Sequence, residues 1–579
     1  MRIRKQYPAF ALGAAMLLAA AGSCSAGMGG PGGHGMGGGF GPGPGGGGGY
    51  GPGPGGGGGG ISTTYDTQFT TLHFSGSGNC SMCHNGLLDE NGDDVSIETD
   101  WSSTAMAHAS RDPLWRAKVS SELARNPALA PVINEKCSRC HAPMANTEAV
   151  YHDQEIDLLG GMLTPADAYY DAAMDGVSCT LCHQIADSLD LGTEAAFSGH
   201  YTIDTYANPL DRRIYGPYDN VFAMPMLNMV SYTIAYSPHI KRSAVCATCH
   251  NLRTPYVDEA GNVISTPETE FPEQMTYSEW LASDYANLQS CQDCHMPRTN
   301  GVIMATRPMW LSTLRDDFAT HTLIGGNNLL LDLLQNNAAE LGATDANIPT
   351  AIQQTEQMLR SAVSLELTGG SLVNNELAFD LQVTNLTGHK LPTGIPLRRM
   401  VLHVKVVDPR GRVVFESGRI NTDGSVTGLD SDVNPATYEP HYGVITSPNQ
   451  VQAYEAIMGD SRGQVTCTLL SAADMLKDNR LLPTGMDKAS ASPDIKVAGA
   501  ASLDADFDNG GDTISFRLAG MKSARYTVTA ELVYQPLSFA FLADMDGDAT
   551  PETTALAGMY QASTAKSTSM TAATFQIRR

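Results

Sequence analysis

The chain has 579 residues, which is enough for two or more domains with hydrophobic cores of their own. Its formal net charge of −25 at pH 7 argues against nucleic acid or an anionic membrane surface as the main partner, and it favours basic or metal-bearing partners. Beyond the N-terminal segment, no run reaches the roughly 18 apolar residues of a transmembrane helix, so we expect no later membrane span.

The N-terminus predicts export. Residues 1–5 are basic and residues 9–22 form a short apolar run that ends in small residues, which is the layout of a secretory signal and too short for a membrane span. Residues 18–24 resemble a bacterial lipobox in which Cys24 would become the lipidated first residue, although Ala21 stands where leucine is usual. The alternative is ordinary cleavage near Ala26, which would discard Cys24. We therefore predict a signal peptide over residues 1–26 and a periplasmic, outer-membrane-anchored or extracellular protein.

A tract of glycine with scattered proline follows over residues 27–60. Such a composition cannot bury a core, and we predict a flexible linker. Its root-mean-square reach as a coil is on the order of 30 Å, which suits a tether. A secretion segment with no selected reach is the alternative.

Five pentapeptides of the form Cys-x-x-Cys-His use ten of the twelve cysteines in the chain. Their cysteines are Cys80 and Cys83, Cys137 and Cys140, Cys179 and Cys182, Cys246 and Cys249, and Cys291 and Cys294; their histidines are His84, His141, His183, His250 and His295. In this pattern the two thiols form thioethers with the vinyl groups of a porphyrin, and the adjoining histidine ligates the iron. Structural zinc sites take four ligands from two such pairs and need no histidine after each pair. We therefore predict five covalently bound haem c groups, which are attached outside the cytoplasm.

All five motifs lie between Cys80 and His295, and this asymmetry gives the main domain boundary. Around the motifs, segments 165–174 and 277–286 show helical apolar spacing, and the rest resembles irregular loops. We predict a mainly helical and irregular pentahaem cytochrome c domain over residues 61–345. A helical pattern then predicts a connecting helix over residues 346–362.

The remaining residues 363–579 alternate between apolar and polar positions in short runs bounded by turn residues. These runs are 377–383, 401–407, 412–416, 513–517 and 524–534. Residues 408–412 between two of them are a hairpin signal. We predict a β-sandwich-like domain, so the fold class is α + β and multidomain.

The second axial position of each haem iron decides what the protein can do. A histidine or methionine there gives a six-coordinate electron carrier, whereas an open position gives a substrate site. His73 and His239 each precede the first cysteine of a motif by seven residues, so the same local geometry could present each to a haem. His321 precedes a Gly-Gly turn where backbone can approach a flat cofactor closely. His200 is a further candidate within the haem region.

Four segments of the haem region resemble secreted bacterial multihaem cytochromes related to the tetrahaem cytochrome of ammonia oxidisers. They are WSSTAMAHASRDP (101–113), FPEQMTYSEW (271–280), CQDCHMP (291–297) and HTLIGGN (321–327). The resemblance continues through TGHKLPTG (387–394), PLRR (396–399) and KDNRLLP (477–483), so it covers nearly everything after the glycine tract.

The resemblance implies further distal ligands. Where the wider family has a distal histidine after a Trp and Ser, this chain has Met106, with His108 as the competing choice and neither as the third alternative. A methionine ligand would raise the potential of that haem relative to two histidines. The resemblance also implies that the loop carrying His389 returns to the haem region, where His389 could ligate iron.

The leading expectation is a non-catalytic electron carrier in respiratory or extracellular electron transfer. Its expected partners are other cytochromes or redox proteins of the cell envelope, or an extracellular acceptor, with no nucleic acid and no membrane contact except through a lipid anchor. One alternative is a haem oxidoreductase of small nitrogen or sulfur compounds with one open haem. The other is a self-assembling subunit of a haem filament or cell-surface complex. The acidic loop 544–548 could hold calcium, although it lacks the terminal glutamate of an EF-hand, and a solvated turn is the favoured alternative.

Overall fold

Short helices joined by irregular loops make up the first part of the protein. A computed structural model describes residues 67–343 and 347–579; the predicted signal peptide, Cys24 and the glycine-rich linker lie outside the described residues. The α-helices up to residue 343 are α1 (Ser77–His84), α2 (Ile97–Ser102), α3 (Pro113–Arg125), α4 (Ala130–His141), α5 (Pro143–Tyr151), α6 (Tyr170–Met174), α7 (Cys179–Cys182), α8 (Met224–Val230), α9 (Ala244–His250), α10 (Thr276–Leu281), α11 (Cys291–His295), α12 (Asn328–Asn336) and α13 (Ala338–Leu341). Four short strand pairs lie among them, formed by β1 (Arg213–Gly216), β2 (Thr233–Tyr236), β3 (Asn251–Thr254), β4 (Phe271–Met275), β5 (Arg298–Thr299), β6 (Val302–Ile303), β7 (Leu314–Arg315) and β8 (Phe318–Ala319).

Helix α3 shows how local chemistry fixes these helices. Asp112 caps its N-terminus, where one carboxylate oxygen accepts hydrogen bonds from the backbone N–H groups of Leu114 at 2.8 Å and Trp115 at 3.3 Å. Pro113 occupies the first helical position, where its missing N–H costs nothing. The helix therefore starts at a fixed residue and carries Trp115 into the interior.

The second part is dominated by two sheets. Its helices are α14 (Ile348–Ser361), α15 (Asp430–Val433), α16 (Phe539–Asp546) and α17 (Pro551–Ala562). Its strands are β9 (Val363–Val373), β10 (Glu376–Asn385), β11 (Arg399–Val407), β12 (Val413–Ser417), β13 (Val444–Ile445), β14 (Ala453–Gly459), β15 (Asp474–Asp478), β16 (Gly511–Ala519), β17 (Arg525–Gln535) and β18 (Thr568–Arg578). One sheet has the order β13-β16-β10-β9, and the other has the order β15-β14-β11-β17-β18 with β12 also paired to β11.

The two sheets share one hydrophobic core. Alternate residues of β10, including Phe379 and Leu381, are buried, as the period of two in a strand requires. They meet Leu402 of β11 and Leu532 of β17 from the opposite sheet. The ring of Phe379 lies parallel to that of Phe516 on β16, with 4.7 Å between the ring centroids. The predicted α + β multidomain class with a β-rich C-terminal region is confirmed.

Each of the five predicted strands is present, and the predicted turn at 408–412 joins β11 to β12. Asp408 closes that turn by accepting hydrogen bonds from the N–H groups of Arg410 at 2.9 Å and Arg412 at 3.0 Å. Strands β9, β13, β14, β15 and β18 were not predicted. In β9, a Gly369-Gly370 pair interrupts the apolar pattern, and the pairing with β10 shifts register beside it.

The helical part and the sheets pack against each other. Arg125 at the end of α3 forms ion pairs with Asp544 of α16 at 2.8 Å and with Asp548 at 2.9 Å. Glu279 of α10 forms a fully buried ion pair with Arg480 at 3.0 Å. The domain boundaries predicted from the sequence stay predictions. Within the described ranges, none of the helices has the length and apolar character that crossing a bilayer requires.

Candidate multihaem centre

Each Cys-x-x-Cys-His motif lies in the last turn of a short helix. The motif histidine ends α1, α4, α9 and α11, and His183 directly follows α7. On a helix, residues three apart lie on the same face, so both thiols of a motif point to one side. The helix ends at the histidine, which is free to turn its ring toward the same side. Such a helical turn presents two thiols and one imidazole to a single flat group.

All fifteen motif residues line one continuous cavity of about 1240 Å³. Pockets for a single small ligand usually enclose about 300–1,000 Å³, so this cavity exceeds what one small ligand needs. The remaining wall includes Trp101, Met106 and His321 from the helical part, and His389 and Arg398 from the sheet part. Both parts of the protein therefore build the same cavity.

Cysteines of different motifs contact each other across the cavity. Cys80 contacts Cys179, Cys140 contacts Cys249, and Cys246 contacts Cys291, and these contacts together with burial raise the pKa values of Cys80, Cys140 and Cys246 well above the usual range. Every described cysteine is a free thiol. The first motif therefore lies beside the third, and the fourth lies beside both the second and the fifth.

Four of the five motif histidines are oriented by backbone carbonyls. The ring Nδ1 of His84 donates to the carbonyl of Met304 at 2.7 Å, and Nδ1 of His183 donates to that of Tyr215 at 2.7 Å. The same arrangement joins His141 to the Ala109 carbonyl at 3.1 Å and His295 to the Ile324 carbonyl at 2.5 Å. When Nδ1 carries the proton, the lone pair of the neutral ring is on Nε2, which is the atom an axial ligand must offer.

Burial keeps several of these rings neutral. It lowers the pKa of His141 to about 4. Burial, assisted by the nearby imidazole of His295 and the guanidinium of Arg398, also lowers the pKa of His250 to about 4. A metal ligand must be deprotonated at the coordinating nitrogen, so both rings are ready to ligate at neutral pH.

Two motif histidines face a second histidine at the separation that one shared iron requires. The ring centroids of His183 and His321 are 6.3 Å apart with an interplanar angle of 22°, and those of His295 and His389 are 6.5 Å apart with an angle of 14°. Two imidazoles that bind one metal on opposite sides, with metal–nitrogen bonds of about 2.0 Å, have centroids about 6.3 Å apart. Nδ1 of His389 also donates to a backbone carbonyl, that of Lys390, at 2.9 Å. The residues present therefore fit haem c at the third and fifth motifs.

Three other histidine candidates are held away from the cavity wall. Both ring nitrogens of His73 are hydrogen-bonded, one to Glu148 at 3.2 Å and one to Thr205 at 3.1 Å. The nitrogens of His239 bind Ser237 at 2.6 Å and the Ile185 carbonyl at 2.8 Å. The nitrogens of His200 contact the Phe197 carbonyl at 2.6 Å and Arg139 at 2.5 Å. Each would have to exchange one of these hydrogen bonds for a bond to iron, and the distal role of the three histidines stays a prediction.

Met106 and His108, the two choices beside Trp101, occupy different positions. Met106 lines the cavity, whereas His108 is fully buried and does not line it. Burial and the nearby charge of Arg111 lower the pKa of His108 to about 3. Of the two, the structure brings only Met106 to the wall.

The sequence analysis missed several residues of the centre. Trp115 lies parallel to the ring of His141, with 4.7 Å between centroids and an interplanar angle of 6°. Arg398 lines the cavity beside His250 and His389, yet its only sequence signal was its place in the PLRR segment. The backbone carbonyls that orient the motif histidines leave no trace in a sequence, because any residue can supply one.

The predicted calcium loop has a different role. Asp544 and Asp548 both pair with the guanidinium of Arg125. One guanidinium of the protein therefore already binds both carboxylates. The structure gives no support to calcium at 544–548.

The motifs, the shared cavity and the imidazole pairs define a multihaem c-type cytochrome, and comparisons with known proteins support that class. Residues 79–184 match the family described as cytochrome c554 and c-prime. The fold is similar to that of a penta-heme cytochrome c552 from Thermochromatium tepidum, with a TM-score of 0.51 and 16% sequence identity over 87% of this chain and 100% of that chain. No curated protein matches the chain.

Proposed function

We propose that this protein is an exported cytochrome that transfers electrons through five covalently bound haem c groups, in respiratory or extracellular electron transfer. The observation that carries the proposal is the single cavity lined by all ten motif cysteines and all five motif histidines. Cysteines of neighbouring motifs contact one another, so groups attached to them would lie close enough to exchange electrons without a diffusing carrier. The five motifs set the count of haems, and the penta-heme neighbour has the same number.

The residues of the chain divide the work of such a centre among them. Haem c supplies the one-electron chemistry when it is bound. The motif cysteines would attach each group covalently, and the motif histidines would ligate its iron. Carbonyls such as those of Met304 and Tyr215 hold the ring tautomer and raise the basicity of the ligating nitrogen.

His321 and His389 favour electron transfer over substrate chemistry at their sites. Each lies opposite a motif histidine at the distance of a second axial ligand. A six-coordinate iron has no free position for a substrate, so it can only gain or lose electrons. The third and fifth motifs are therefore assigned to electron transfer.

Export and partners form the second part of the proposal. The basic and apolar N-terminal sequence, followed by small residues around Cys24, supports export with or without a lipid anchor. The net charge of −25 favours partners with a basic docking face, because complementary charge speeds encounter. Redox proteins of the cell envelope or an extracellular acceptor fit this role, and self-assembly into a larger haem array is compatible with it.

A haem oxidoreductase with an open iron is the second candidate. In the described part of the chain, His84, His141 and His250 have no second imidazole at the separation seen for the other two motifs. At least one of these positions could accept a small nitrogen or sulfur compound. Met106 at the cavity wall would close one position if it ligates.

One set of spectra on the purified full-length protein tests the proposal. Pyridine haemochrome absorbance, divided by protein concentration, should give five haems per chain. Electron paramagnetic resonance of the oxidised protein should show low-spin iron, and carbon monoxide should leave the reduced spectrum unchanged. Fewer than five haems would contradict the assignment of the motifs, and a high-spin signal with carbon monoxide binding would put the oxidoreductase first.

A further inference from the structure

A cluster of acidic side chains around His441 lies in the sheet part of the protein and takes no part in the multihaem centre. His441 Nε2 is 3.4 Å from Asp504 Oδ2 and 3.7 Å from Asp512 Oδ1. The ligand-type atoms of these three residues lie within 4.8 Å of one another. Asp506 adds a third carboxylate beside Asp504. The segment between 504 and 512 leads into β16, and His441 precedes β13.

One buried carboxylate oxygen that faces this cluster has no hydrogen-bond partner among the described residues. Asp512 is fully buried, and its Oδ1 has no hydrogen-bond partner among the described residues. Its Oδ2, by contrast, accepts a hydrogen bond from the hydroxyl of Tyr454 at 2.8 Å. Asp506 is held in a similar way, since its Oδ2 accepts from the N–H of Thr513 at 3.0 Å. Asp512 is thus anchored by Oδ2 and directs Oδ1 toward His441, while Asp506 is anchored by Oδ2 and lies beside Asp504.

Among the described residues, no Lys or Arg side chain forms an ion pair with the carboxylates of Asp504, Asp506 or Asp512. The ammonium of Lys488 donates to the backbone carbonyl of Asp504 and not to its carboxylate, and Lys477 pairs with Glu455 at 2.9 Å. Three carboxylates in one place, one of them fully buried, require a counter-charge to ionise together.

The hydrogen bonds of His441 indicate which kind of cation fits. Its Nδ1 accepts from the amide groups of Gln452 at 2.9 Å and Asn479 at 3.1 Å. Both amides are fixed, because their oxygens accept from the backbone N–H groups of Tyr442 and Glu455, each at 2.9 Å. A neutral ring that accepts at Nδ1 carries its proton on Nε2, so it offers no lone pair toward the cluster. The donors available to a cation are therefore carboxylate oxygens.

We infer that Asp504 and Asp512, with the carboxylate of Asp506 beside Asp504, bind a hard divalent cation of the calcium type through carboxylate oxygens. His441 Nε2–H faces the carboxylates of Asp504 and Asp512 and lies outside the coordination shell. Asp506 is exposed and gives a path from solvent, while Asp512 forms the floor. Water and backbone carbonyls would complete the six to eight oxygens that calcium takes.

Calcium titration of the full-length haem-loaded protein, after dialysis against EGTA, tests the inference. We expect isothermal titration calorimetry to show one high-affinity Ca²⁺ per chain and Ca²⁺ to raise the thermal midpoint. D512N and D506N should each weaken Ca²⁺ binding at least tenfold. Because Asp506 is exposed, D506N should fold normally and can test the inference even if D512N does not fold. D487N, an exposed aspartate outside the cluster, is the matched control and should bind like the parent protein.

Three results would overturn the inference. The first is that the parent protein does not bind Ca²⁺ at millimolar concentration. The second is that D506N and D512N bind Ca²⁺ as the parent protein does. The third is that the protein binds Zn²⁺ more tightly than Ca²⁺. The last would mean that the imidazole of His441 ligates through nitrogen. None of these outcomes bears on haem count, so the test is independent of the proposed function.

Discussion

Replacing His389 by alanine should open one iron of the five. The ring of His389 lies 6.5 Å from that of His295, and the structure shows no other described histidine in that position. Without it, the fifth motif retains its own imidazole alone, so the sixth coordination position becomes free. High-spin iron should therefore account for about one fifth of the total, and the reduced variant should bind about one carbon monoxide per chain more than the parent protein.

The measurement is spin quantitation by electron paramagnetic resonance together with carbon monoxide titration of the reduced protein. H403A is the matched control, since His403 lies on β11 and does not line the cavity. H321A should add its own carbon monoxide equivalent at the third motif, and H321A/H389A should add about two. H389M should stay low-spin with a more positive potential at one haem. If H389A keeps the spectrum and the carbon monoxide stoichiometry of the parent protein, the ligand pairing inferred from the ring geometry is wrong.

Three further predictions concern the sheet part. R399A should lower the free energy of unfolding by about 3–5 kcal/mol, because it leaves the buried Asp432 without the guanidinium that binds both its oxygens at 2.7–2.8 Å. R517A, which breaks a half-exposed ion pair with Asp380, should lower it by about 1 kcal/mol or less. Equal losses in denaturant titrations would contradict this prediction. The carboxylates of Glu531 and Glu416 raise the pKa of His403 above 6.5. Its contribution to the stability of the fold is therefore complete below pH 6.5 and is lost as the pH rises through the folded-state pKa. The thermal midpoint should fall more between pH 6 and pH 9 in the parent protein than in H403Q, and parallel curves would refute this prediction. F379A should lower the free energy of unfolding by about 3–5 kcal/mol, because it leaves a cavity in the core beside Phe516. F222A, which removes a half-exposed ring, should change the thermal midpoint little. Similar midpoints for the two variants would argue against a core shared by the two sheets.

The sequence predicted the attachment sites but only part of the ligand set, for a physical reason. Attachment needs two thiols and an imidazole within one helical turn, so its whole requirement is local. Candidate distal ligands come from remote segments: His321 lies beside His183, and His389 of the sheet part lies beside His295. The context of His321 and the resemblance around His389 pointed to these two, because a Gly-Gly turn and a returning loop describe approach to a flat group.

The equal sequence distance of His73 and His239 from their motifs predicted their positions less well. His73 and His239 stand at the same distance from their motifs, but His239 lies in a short 3-10 helix and His73 in an irregular segment before α1. Sequence spacing fixes spatial position only where the backbone conformation is the same. In the sheets, the alternating strands were predicted, whereas β18, with its small and polar residues, depends on pairing with β17 and has little pattern of its own.

The cysteine contacts across the cavity also determine which routes electrons could take between the five motifs. The fourth motif touches the second and the fifth through its two cysteines, and Cys249 is also near Cys182 of the third. Electrons that enter at the first motif would thus pass through the third to the fourth, and could continue from there to either the second or the fifth. The five motifs form a branched arrangement and not a single linear chain. A protein built this way can serve two partners at once, and it keeps one route open when the other exit is blocked by docking or damage.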